Sequence, residues 1–228
     1  MYTLHVANKN YSSWSLRPWV LMRTLGIPFD EKLVPFPASG VWETYRKFSP
    51  SGRVPVLKDG DVTVWDSLSI VEYLAERHAG VWPAEAAVRA WARSAAAEMH
   101  SGFSTLRNIC TMNCGIRVQL KDRPAALLAD VARFSEIWNE GLARWGGPFL
   151  TGGRFTAVDA FFAPLAFRVQ TYGLELDPRS QAYVALLLRQ PAMVDWYEAA
   201  LRETFREPGH EAEAHAAGTW TADLRATA

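Results

Sequence analysis

The stretch from Gly52 to Tyr73 limits what this chain can fold into more than any other. Val54 to Leu57 is a short apolar run, Asp59-Gly60 suits a tight turn, and Val62-Thr63-Val64-Trp65 returns as a second β-rich run. Asp66 or Ser67 then caps a helix whose apolar positions, Leu68, Val71 and Leu74, share a face. The order is strand, turn, strand, helix. Pro55 cannot donate to a β-ladder, so it belongs at a strand start, at an edge, or at a cis peptide bond that turns the backbone toward a ligand. Asp66-Ser67 sets a hydroxyl and free backbone N–H groups at a helix N-terminus, where a carboxylate can bind.

The residues upstream supply the remainder of a small sheet domain. Residues 2–7 alternate and read as a strand; residues 8–13 are polar and turn-like. A helix is predicted over 14–25, with Pro18 in its first turn and Gly26 ending it. Residues 29–36 form a second strand candidate, 35–40 a loop and 41–48 a short irregular helix. Strand, helix, strand, helix, strand, strand, helix permits a right-handed βαβ unit followed by the hairpin and a closing helix. That is a thioredoxin-like α/β arrangement.

Composition changes near Trp82. Two domains are predicted, 1–82 and 83–228, the second all-helical. It holds a long helix over 84–112, weak or bent at Gly102, and another over 124–146. After the Gly-rich loop around 146–152, Thr156-Ala157-Val158-Asp159 reads as a capping box. The helix that follows, over 160–169, is apolar on nearly all sides and so should be buried; Asp159 has a structural part, not a catalytic one. Last helices fall over 183–188 and 192–204, with Gln190-Pro191 between them. After about 207 the chain is expected to be mobile or to lie loosely on the surface.

Lys plus Arg and Asp plus Glu number 24 each, so nothing points to nucleic acid or an anionic membrane surface. With no signal segment and no long apolar run, a soluble, cytoplasmic protein is expected. Cys110 and Cys114, four apart on the predicted helix, read as unmodified thiols; no metal site is expected. His210 and His215 read as solvent-exposed.

Val54-Pro55 opposite an Asp66-Ser67 cap resembles the glutathione site of cytosolic glutathione transferases. The Gly-rich loop with its Thr-x-x-Asp box resembles the nucleating motif of their helical domain. Tyr11-Ser12-Ser13-Trp14-Ser15-Leu16-Arg17 resembles the Ser-Ser-Cys-Ser-Trp-Arg segment of the zeta class, which includes maleylacetoacetate isomerases. The chain is therefore similar to the serine-type, bacterial members closest to that class. Trp14 stands where the zeta cysteine would be, which argues against maleylacetoacetate isomerase activity and against cysteine-dependent redox chemistry. A further run, residues 101–109, resembles a zeta segment facing the active-site cleft.

The resemblance implies that Val54 pairs with the cysteinyl backbone of glutathione, with Pro55 beside it, and that Asp66 and Ser67 hold the γ-glutamyl group. Ser12 or Ser13 would stabilise the thiolate, with Tyr11 a third candidate; Trp14, Ser15 and Arg17 complete the binding set. The chemistry needs such a hydroxyl because a free thiol with a pKa of about 8.5 is mostly protonated at pH 7. A hydroxyl donor near the positive end of a helix favours the thiolate. Trp14, Arg107, Asn108 and Met112 would line a pocket for a small electrophile. The implied activity is glutathione conjugation or glutathione-assisted isomerisation, in a homodimer, with glutathione as co-substrate. The alternative is a non-catalytic binding or scaffold protein of the same fold.

Overall fold

The computed structural model of the chain describes residues 1–37 and 40–227; Ala38 and Ser39, within the predicted loop over 35–40, lie outside the described residues. The first half builds β1 (Tyr2–Val6), α1 (Ser13–Thr24), β2 (Phe29–Leu33), α2 (Val41–Arg46), β3 (Val56–Asp59), β4 (Val62–Val64) and α3 (Ser67–Ala75). The sheet runs β2-β1-β3-β4. β2 lies parallel to β1, with Tyr2 opposite Phe29, and β3 and β4 are antiparallel. This is the predicted thioredoxin-like order. The pairing of Asp59 with Val62 puts the turn on Gly60-Asp61, and Gly60 has φ +56°, which glycine adopts without a Cβ penalty. The Val54–Pro55 bond ahead of β3 is cis.

The second half is helical: α4 (Ala86–Ser101), α5 (Ser104–Ile109), α6 (Ala125–Arg144), α7 (Ala157–Tyr172), α8 (Pro178–Leu188), α9 (Pro191–Arg202) and α10 (Pro208–Ala217). α7 is buried along almost its whole length, against α1 on one side and α4 on another. Its capping box is present, and Asp159 also accepts from Leu150 N at 3.0 Å and Tyr183 Oη at 2.8 Å. Burial pushes the Asp159 carboxyl up to about 6 against those donors, so it is a structural centre, as its sequence context suggests.

Three features differ from the sequence expectation. The helix expected over 84–112 is two helices, because the chain breaks at Gly102 and Phe103, the latter at φ 59°. A Cβ at Gly102 would meet the Glu98 carbonyl at 2.8 Å, so the break is built around that glycine. Consequently Cys110 and Cys114 lie past α5, not on one helix face; both are buried, and burial raises both thiols, Cys110 to about 12. The helical half also carries a two-stranded antiparallel sheet, β5 (Ile116–Leu120) with β6 (Gly218–Asp223). Finally, the segment after 207 does not lie loose: α10 and β6 pack back on the body. Arg225, its side chain 1% exposed, bonds Glu211 and Asp223, each at 2.6 Å at the closest.

Candidate functional site

Two cavities adjoin at Trp14, Arg53 and Val54, the larger walled by both halves. The larger, about 540 Å³, is lined by Ser12, Ser13, Trp14, Val54, Arg107, Asn108 and Met112 among the predicted residues. The smaller, about 380 Å³, is lined by Val54, Pro55 and Asp66, with Ser69 and Trp65. Trp14, Arg53 and Val54 border both. A ligand spanning the two would pass over Val54 as an added strand does, one end at the α3 N-terminus and the other at the α1 N-terminus.

The α1 N-terminus separates the two serines chemically. Ser12 Oγ donates to Ser15 Oγ at 2.7 Å, and Ser15 Oγ itself accepts from Ala7 N. Ser13 Oγ instead accepts from Arg168 Nη2 at 3.5 Å, so its own proton is free to point into the cavity. Ser15 is fully buried behind them and lines neither cavity. Tyr11 lines the larger cavity, but its hydroxyl donates to Glu211 at 2.9 Å, and burial and that bond raise its pKa.

Arg17 is also fully buried and lines neither cavity. Its guanidinium lies 4.2 Å from the Trp14 ring centre and donates to His100 Nδ1 at 3.5 Å. Since arginine only donates, His100 carries its proton on Nε2, which faces Asp66 Oδ2 at 3.2 Å. Asp66 also caps α3 through Leu68 N at 2.9 Å. Arg17, His100 and Asp66 thus form a chain from the body of the cleft to the smaller cavity. Ser67, expected to face a carboxylate, is fully buried and its Oγ has no partner among the described residues; the exposed Ser69 borders the cavity instead.

Positive charge gathers beneath the larger cavity. Burial and neighbouring guanidinium groups hold Arg17 well below its ordinary value and bring Arg107 to about 10. Arg107 donates to Gly102 O at 2.9 Å and to Met99 O, closing the end of α4, and stacks 4.9 Å from Trp14. Sequence reasoning missed Arg168, Phe36, Tyr45, His210 and Glu213, which also line it, as do Gly52, Arg53 and Thr111. Arg168 had a signal: a lone arginine in a helix apolar on nearly all sides. His210, read as solvent-exposed, is half-buried with its ring 5.0 Å from that of Tyr11. No group of residues suited to a metal ion occurs among the described residues, and no helix there is long and apolar enough to cross a membrane.

Comparisons with known proteins give the family and the fold. The family model for the glutathione S-transferase N-terminal domain matches residues 11–77, and that for the C-terminal domain matches 123–199, together more than half of the chain. The chain belongs to the glutathione S-transferase family. It is 23% identical over 214 residues to the glutathione S-transferase-like protein OpS6 of Beauveria bassiana, covering 83% of this chain and 91% of that one. It is 25% identical over 177 residues to a probable maleylacetoacetate isomerase of Caenorhabditis elegans, covering 73% and 79%. Among solved structures, a glutathione transferase homologue from Burkholderia GL BGR1 with bound glutathione has a TM-score of 0.66 at 22% identity, covering 87% of this chain and 97% of that one. That likeness shows the shared fold.

Proposed function

We propose that this protein binds glutathione across the two cavities and ionises its thiol for attack on a small electrophile. Conjugation and glutathione-assisted isomerisation both begin from that thiolate. The observation that carries the reading is that Ser13, Val54 and Asp66, from three separate segments, line two adjoining cavities that share Val54. Val54 pairs its backbone with the cysteinyl unit, Asp66 and the α3 N-terminus receive the γ-glutamyl end, and Ser13 donates its hydroxyl to the sulfur. Ser12 orients the loop through Ser15 rather than acting on the sulfur. Trp14, Asn108 and Met112 border the space left for the electrophile. The active form in this reading is a homodimer. The relative named as a probable maleylacetoacetate isomerase lends support to the isomerase branch at low identity.

Ultraviolet titration of bound glutathione tests this directly. The wild type should show a thiolate band with a pKa below the free value of about 8.5. Ser13→Ala should move the band to higher pH, and Ser12→Ala should leave it in place. Binding without a depressed thiol pKa in the wild type would sink the enzyme reading in favour of a binding module. A shift in Ser12→Ala alone would transfer the role to Ser12.

A further inference from the structure

We propose that Arg168 is a second, cationic support of the glutathione thiolate, acting beside Ser13 from the far wall of the cleft. The proposal rests on the reading above and adds a residue from the helical half to the ionisation step.

Arg168 lies near the C-terminal end of α7, in the run Phe-Phe-Ala-Pro-Leu-Ala-Phe-Arg-Val, where the helix is buried on nearly all sides. The residue is 5% exposed. Its Nη1 donates to the Cys110 carbonyl, and its Nη2 reaches Ser13 Oγ. No carboxylate lies within ion-pair distance of it among the described residues. Glu213, the acidic residue with some electrostatic hold on it, is exposed on the cavity rim. Cys110 and Tyr172 beside it are kept neutral by burial, and Arg107 across the cavity repels it.

A buried cation without an anion is costly, and proteins keep such groups where a partner or ligand supplies the charge. Arg168 borders the 540 Å³ cavity, so the charge has a route in. The group it reaches is the hydroxyl assigned to the sulfur. A sulfur accepting from Ser13 Oγ sits within two hydrogen-bond lengths of Nη2, inside one screening length. At that range a guanidinium favours the ionised thiol. The Nη2 contact has a second effect. It occupies a lone pair of Ser13 Oγ and so turns the hydroxyl proton toward the sulfur. In the ionisation step the S–H bond breaks, its electron pair stays on sulfur and the proton leaves to solvent. Arg168 remains charged and exchanges no proton.

The test compares wild type, Arg168→Gln and Arg168→Lys by ultraviolet titration of bound glutathione, with glutathione affinity and Tm measured alongside. Arg168→Gln keeps a donor for Cys110 but loses the charge; its bound thiol pKa should rise by about 1 unit or more, about tenfold in the ionisation constant. Arg168→Lys should recover most of that shift. A wild-type-like pKa in folded Arg168→Gln would overturn the role of Arg168 and leave the proposed function standing. An undepressed pKa in the wild type would end both. Should Arg168→Gln fail to fold, Ser13→Ala decides: a bound thiol pKa still below the free value supports a remaining cationic contribution, and a return to the free value overturns it.

Discussion

At the residue scale, Arg17, His100 and Asp66 show how much of a binding site lies out of the ligand's reach. Arg17 fixes the tautomer of His100, and His100 fixes the orientation of the Asp66 carboxylate. The surroundings of His100 also set its titration. Burial pulls its pKa below the ordinary 6.5, Arg17 and Arg107 pull the same way, and Asp66 opposes them. A histidine lowered on folding is bound to fewer protons in the folded than in the unfolded state. Its contribution therefore weakens the fold as pH drops below 6.5 toward the lowered value. The wild type should lose Tm between pH 6.5 and 5 more steeply than His100→Gln does. Asp159, raised by burial, has the opposite sign, its stabilisation being lost as pH rises through about 6, but it enters both proteins alike. Equal slopes in thermal scans would remove the argument for His100. The sequence marked Asp66, Val54 and the serines because short-range chemistry, a cap or a loop, requires those residue types. It did not mark His100, whose partners lie 34 and 83 positions away.

At the scale of elements, legibility follows contact distance along the chain. The sheet order β2-β1-β3-β4 was readable because each turn, cap and apolar face is local. β5 and β6 were not, since Ile116 pairs with Asp223 across the length of the helical half and the tail composition masks a strand. The same pairing demands Gly218, where a Cβ would collide with the Gln119 backbone. α10 is held through its N-terminal half. Glu207 caps it through His210 N at 2.7 Å, and Glu211 accepts from Tyr11 and Arg225. It thereby walls the larger cavity with His210 and Glu213. Removing the charge at Arg225 leaves Glu211 half-paired in a semi-buried place. Arg225→Met should speed amide exchange over 208–217 by about tenfold while leaving α7 unchanged, as expected of a locally opening unit. Unaltered exchange in α10 would mean that packing, and not this ion pair, holds the wall.

At the scale of the molecule, the cleft exists because the two halves share one core. Trp19 of α1 packs edge-on against Trp196 of α9 at 5.1 Å, and Trp196 Nε1 donates to the Lys9 carbonyl at 2.9 Å. Asn10 Nδ2 donates to Ala200 O at 2.6 Å, and Ala157 N to Val81 O at 2.8 Å. Buried residues of both halves belong to a single cluster running from Leu4 to Ala217. The loop that carries Ser12 and Ser13 is thus anchored by the helical half, and the site cannot survive its separation. Such a body should unfold as one unit, and in the proposed homodimer the unit includes its partner. Far-ultraviolet dichroism and tryptophan fluorescence should then give one coincident thermal transition, with a midpoint that climbs as protein concentration rises. Two separated transitions would show that the halves hold together independently. A single transition at a midpoint indifferent to concentration would keep the shared core and remove the homodimer, leaving a cleft complete within one chain.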